Sequence, residues 1–181
     1  MKTIFLQTVM FAFISLLHLN VCQAQSAIDY TQVGLMKADY DHRAVLYFRN
    51  SQKAAVAIFG PPSSRSTYYS EMDNINLDVL NYGNNKLYFD SEGLVMYEIL
   101  SPAIAVGKNY ATSFRVGNNR GVNAVFHGLS VDPIPHNTVN MSYNACAVAA
   151  IKSGDTVLDY GVTVLFDANG NAFSISLDAT N

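Results

Sequence analysis

The sequence predicts an α+β protein of two tandem units, each a short helix followed by an antiparallel three- or four-stranded meander. Three observations predict it. A phrase recurs: Val79-Leu80-Asn81-Tyr82-Gly83 precedes Leu87-Tyr88-Phe89-Asp90-Ser91-Glu92-Gly93, and Val157-Leu158-Asp159-Tyr160-Gly161 precedes Leu165-Phe166-Asp167-Ala168-Asn169-Gly170. The offset is 78 residues at the Tyr-Gly pairs and 77 at the Phe-Asp pairs, a spacing that suggests a duplicated supersecondary unit. Apolar and polar residues alternate around both phrases, with the two-residue period of half-buried strands. Ahead of the first phrase, Ala55, Val56 and Phe59 form a stripe at helical spacing.

Taken in order, Arg43–Arg49 alternates enough for a strand, with Leu46 and Phe48 on one face. Asn50-Ser51 can cap a helix over Gln52–Phe59; Gly60 can end it and Pro61-Pro62 forbids continuation. Strands are expected at Thr67–Tyr69, Leu77–Tyr82, Asn85–Asp90 and Leu94–Leu100, with turns at Asn81–Asn85 and Asp90–Gly93. Ser101-Pro102 opens the second unit, and Asn109–Phe114 can form one or two helical turns. Thr138–Tyr143, Ala145–Ile151, Thr156–Phe166 and Asn171–Leu177 complete a second meander, although the alanines of 145–151 would also suit a helix. Joining the two sheets edge to edge would cover exposed strand edges. The expected organisation is a leader over 1–24, a first unit over 25–100 and a second over 101–181.

Met1-Lys2, the apolar run from Ile4 to Leu19, and small residues around Cys22-Gln23-Ala24 read as a cleaved export signal with Gln25 as the new N-terminus. The run is shorter than the roughly 20 residues of a spanning helix. The mature chain is then expected in the periplasm or outside the cell. Cys22 could instead carry a lipid; Leu19 suits that reading and Val21 does not, and only this route would bring in a membrane. Cys146 is the one cysteine left after cleavage, so stability must come from burial, which a 50% hydrophobic composition can supply. It lies in a small-residue apolar run and reads as a buried, inert thiol. The net charge is −3, with no cluster of Lys and Arg, which argues against nucleic acid as a partner.

Chemistry is thinly represented. Asp167-Ala168-Asn169-Gly170-Asn171 resembles the start of a calcium loop, but Ala172 stands where the sharp turn needs Gly, so a hairpin turn is expected. Asp39-Tyr40-Asp41-His42 would split its ligands between two strand faces, and His127, Asp132 and His136 lack zinc spacing. No Gly-x-Ser-x-Gly elbow and no phosphate-cradling loop occur. The expectation is a non-enzyme with no metal and no cofactor. A hydrolase or small-ligand binder built on Gly117–Pro135 stays open as an alternative.

Aromatic residues are the more informative signal. Most tyrosines fall in or beside strands, where core packing is the plain reading and an open binding face the sharper one. Leu87 and Phe89 should face the core, which points Tyr88 outward beside Lys86. Tyr68 and Tyr69 are adjacent, so one must face away from the core. Tyr68, Tyr69, Lys86, Tyr88 and Tyr97 are the candidate binding residues.

Ala57-Ile58-Phe59-Gly60-Pro61-Pro62, with Leu80–Gly83 and Leu87–Leu94, resembles a pattern in outer-membrane assembly lipoproteins of the SmpA/OmlA type and in β-lactamase inhibitory proteins. The repeat favours the second architecture. The resemblance covers residues 52–100 and, through the closing hairpin, part of 105–177. It implies a concave sheet that grips another protein, and it transfers no inhibitor residue. The expected function is therefore protein or peptide binding through an aromatic sheet face, or alternatively an envelope assembly factor anchored at Cys22.

Overall fold

The computed structural model describes residues 27–38, 44–71, 73–119, 131–133 and 145–179. The expected leader with Cys22, the Asp39–His42 cluster, His127 and His136 lie outside those residues. In chain order the elements are β1 (Ile28–Asp29), β2 (Leu35–Lys37), α1 (Gln52–Phe59), β3 (Ser64–Ser70), β4 (Ile75–Tyr82), β5 (Asn85–Phe89) and β6 (Leu94–Ile99). Then come β7 (Ile104–Gly107), β8 (Ser113–Phe114), β9 (Val131–Pro133), β10 (Ala145–Ser153), β11 (Thr156–Phe166) and β12 (Ala172–Ala179).

Among the described residues nine strands make one mixed sheet in the order β1-β10-β11-β12-β6-β5-β4-β3, with β9 also pairing with β10. Only the β1·β10 pairing is parallel among the described residues. A second sheet, β2-β7-β8, and α1 lie against one face of the first, and the apolar core fills the space between. Leu80, Leu87, Phe89, Tyr97, Ile99, Val162, Val164, Ile175 and Leu177 enter that core from the large sheet; Leu35, Ala55, Val106 and Phe114 enter from the opposite layer. Edge-on ring contacts, Phe114 with Phe166 and Phe48 with Tyr160, tie the layers together.

This corrects the expected fold class. The molecule is mostly β, with a single α-helix among the described residues, rather than two helix-plus-meander units. The helix expected at Gln52–Phe59 is present: the Ser51 hydroxyl accepts from Ala54 N–H, and Gly60, at φ 87°, donates to the Val56 carbonyl. Its counterpart is missing. After Asn109 caps a single 3-10 turn at Tyr110–Thr112, the chain extends into β8, because Phe114 is buried by pairing with β7. The Ala145–Ile151 segment is strand, since alternate residues Ala147, Ala149 and Ile151 bury themselves. Arg43–Arg49 is not a strand over its described part: Leu46 makes one bridge to Leu35, and Tyr47–Asn50 turns with Arg49 at φ 65°.

Two features hold the β4-β5-β6 meander in place. The fully buried Asn85 side chain accepts from Leu100 and Ser101 N–H, each at 2.9 Å, and donates to the Ser101 hydroxyl, fastening the start of β5 to the exit of β6. At the other end Asp90 accepts from Glu92 and Gly93 N–H and pairs with Arg49 at 2.5 Å. Gly93 sits at φ 135°, and a Cβ there would lie 2.3 Å from the Arg49 carbonyl oxygen, so no other residue fits.

Candidate functional site

Alternation along paired strands decides which side chains share the outer face, the one turned away from α1. Tyr68 pairs with Leu77, Val79 with Tyr88, Tyr88 with Met96, Lys86 with Glu98, and Glu98 with Ser176. Tyr68, Tyr88, Lys86, Met96, Glu98 and Asp178 therefore share that face. The rings of Tyr68 and Tyr88 meet edge-on, centroids 5.5 Å apart, across β4. They roof Leu77 and Val79, which are 1% and 3% exposed although they point away from the main core.

Beside this roof lies an open groove of about 430 Å³, lined by Tyr68, Tyr69, Ser70, Glu71, Asp73, Met96, Asp178 and Ala179. Its lining runs from β3 through Met96 on β6 to the end of β12. Its two walls have different origins: the β3–β4 turn brings Glu71 and Asp73, and the end of β12 brings Asp178. Ser70 shapes the turn by donating to the Asp73 carboxylate at 2.9 Å and accepting from Asp73 N–H. Tyr69 lies on the opposite side of β3, 51% exposed, its hydroxyl donating to Asn74.

The groove is acidic and partly apolar. The Asp178 side chain retains contact with solvent, yet the surrounding protein raises its pKa, first by desolvation and then by the nearby Glu98 charge; a hydrogen bond from Ser176 opposes both. Burial likewise raises the Tyr88 hydroxyl, so it stays protonated and available as a donor at neutral pH. Lys86 Nζ donates to Glu98 at 2.9 Å, which raises its pKa and neutralises both charges on the floor beside Tyr88. That leaves Glu71, Asp73 and Asp178 as the charges facing the groove, together with tyrosine rings and the Met96 thioether. Such a lining can attract a cation, stack its alkyl stem and hold its head over an aromatic ring.

Of the residues singled out from sequence, Tyr68, Lys86 and Tyr88 come together on one face, and Tyr69 flanks them at the edge. Tyr97 does not join them. It is 1% exposed in the core, its hydroxyl donating to the Val33 carbonyl at 3.2 Å, because its register partners Leu87 and Leu177 belong to the inner face. Sequence reasoning missed Glu71, Asp73, Met96 and Asp178. Alternation back from Glu98 would have found Met96, but bringing Asp178 near β3 requires the β6·β12 pairing, which no local pattern signals. Asp167, the start of the calcium-like loop, accepts from Asn169 and Asn171 N–H as a hairpin turn. Cys146 is half-buried on β10.

Among the described residues no helix is long and apolar enough to cross a membrane, and no three metal-ligating side chains converge. Comparison of the chain with known protein families, with characterised proteins and with solved structures finds no match.

Proposed function

We propose that the exported chain is a non-enzymatic binding module that captures a positively charged segment of another protein or a peptide on its outer sheet face. One observation carries the reading: a groove with three carboxylates on its walls opens beside the paired rings of Tyr68 and Tyr88. Aromatic rings with polar tips make rigid anchors, and ordering them costs little conformational entropy. Carboxylates unmatched by a local cation favour a partner that supplies one. The chain's net charge of −3 acts in the same direction.

The test is calorimetric titration of the mature chain with a heptapeptide alternating threonine and lysine, against a threonine–glutamate control. Threonine favours the extended form and lysine supplies the charge. A small interface of this kind predicts a dissociation constant on the order of 100 µM for the lysine peptide and no measurable binding of the control. Tyr68→Ala should weaken the lysine peptide by about tenfold while costing about 1 kcal/mol of stability or less, since Tyr68 is 47% exposed. Equal binding of the two peptides, or none, would remove the proposal.

A further inference from the structure

We infer that the cationic segment binds as an added strand along the open edge of β3, a geometry that rests on the recognition proposed above and specifies it. The neighbouring hairpin sets the backbone directions. β4 and β5 are joined by the two-residue loop Gly83-Asn84, with Gly83 at φ 64°. A loop of that length makes its flanking pair, Tyr82 and Asn85, exchange both backbone hydrogen bonds. Alternation then makes Leu80 with Leu87 and Asp78 with Phe89 the next such pairs, and it turns the backbone of Leu77, Val79 and Asn81 toward β3. Their partners there are Tyr68, Ser66 and Ser64. Arg65, Thr67 and Tyr69 consequently aim their N–H and C=O groups away from β4.

Among the described residues no strand receives those groups, because β3 ends the sheet. Edge strands are commonly shielded by proline, lysine, bulges or a covering segment. β3 reads Ser-Arg-Ser-Thr-Tyr-Tyr-Ser, keeps unbroken register with β4 over seven pairs, and is exposed from Ser64 to Tyr69. Its single charge, Arg65, is turned back to the Gln52 side chain on α1 at 3.0 Å. A strand laid along this edge would place every second side chain on the outer face, in line with Tyr68 and beside Glu71 and Asp73 of the β3–β4 turn. Main-chain pairing would supply affinity, and the alternate cationic positions selectivity.

Amide hydrogen exchange, followed by NMR on the mature chain with and without the threonine–lysine heptapeptide, tests this. At a peptide concentration ten times its dissociation constant, exchange at Arg65, Thr67 and Tyr69 should slow about tenfold. Ser66 and Tyr68, already bonded to β4, should change little. Thr67→Pro, which removes only an outward N–H, should abolish peptide binding with an unchanged melting temperature. If the peptide binds and Tyr68→Ala weakens it, yet the β3 amides do not respond and Thr67→Pro still binds, strand addition is wrong while cation recognition stands. If the peptide does not bind the unaltered chain, recognition itself fails. Slowing that grows with protein concentration in the absence of peptide would assign the edge to a second copy of the chain and overturn the proposal.

Discussion

The two meanders of the large sheet, β4-β5-β6 and β10-β11-β12, meet antiparallel through β6 and β12, and they agree at one turn while differing at the other. Their second turns match: Asp90 and Asp167 each accept two backbone N–H groups a few residues ahead. Their first turns do not fall where the repeated letters suggest. Gly83 opens the β4–β5 loop, whereas Gly161 lies inside β11, paired with Ala150 and Asp178. The structural counterpart of Gly83 is Gly154, at φ 59°, which opens the two-residue loop into β11. β5 has 5 residues and β11 has 11. An aspartate turn carries its own geometry in side-chain to backbone bonds, but a Tyr-Gly pair takes its shape from the residues C-terminal to it. Asn84-Asn85 permits reversal; Val162-Thr163-Val164 continues a strand.

The outer edges differ as well. β10 is covered along one end by β1 and along the other by β9, whereas β3 has no strand beyond it among the described residues. Covering an edge blocks strand addition, and the proposed partner strand adds at the edge left open.

The largest effect that could break this comparison concerns the turns. Gly93→Ala should cost about 2–4 kcal/mol, combining positive φ with a clash against the Arg49 carbonyl. Gly83→Ala and Gly154→Ala, at positive φ with open space around them, should each cost about 1–2 kcal/mol by urea denaturation. Equal losses at all three would mean that the Asp90 turn is no tighter than the two loops.

Next in size, Asp90→Ala and Asp167→Ala should each remove about 1–2 kcal/mol by releasing turn amides. Asp90 should lose slightly more through its exposed Arg49 pair, worth about 1 kcal/mol at most.

The smallest effect on stability sharpens the functional half of the comparison. Asp178 has a raised folded pKa, so it favours the folded state most below the ordinary aspartate value, and that contribution is lost as pH rises through the raised value. Asp178→Asn should therefore leave the melting temperature at pH 7 unchanged or slightly higher while weakening the lysine peptide. In the unaltered chain, peptide affinity should decline as pH falls through the raised Asp178 pKa. The titratable groups around it are Glu98 on β6, Lys86 and Tyr88 on β5, Tyr68 on β3, and Glu71 and Asp73 on the turn. Titrations at neutral and mildly acidic pH read this directly; pH-independent binding would exclude Asp178 from the groove's function.

Much of the β4-β5-β6 meander was legible because its signals are local. The Ser51 cap, the Gly60-Pro61-Pro62 stop, the Asp90 turn and the alternation around Tyr88 each act within a few residues. The outward placement of Tyr88 beside Lys86 comes from that alternation. Tyr97 defeated the same reasoning, because Met96 and Tyr97 are both apolar enough for either face and the bulge between Tyr88 and Phe89 shifts register. The second unit was misjudged at its expected helix, where Asn109–Phe114 makes one 3-10 turn and then enters β8 because pairing with β7 buries Phe114. The strand expected over Ala145–Ile151 formed, its alanines standing opposite Val162 and Val164. The acidic wall of the groove depends on Asp178 crossing to the first meander, a long-range pairing that local sequence does not encode.

One experiment tests the contrast between the two edges most directly: amide exchange at β3 and β10 monitored in the same titration with the threonine–lysine heptapeptide. Selective slowing at Arg65, Thr67 and Tyr69, with β10 unchanged, is the predicted result. Slowing centred on β10, or spread evenly over both edges, would contradict it.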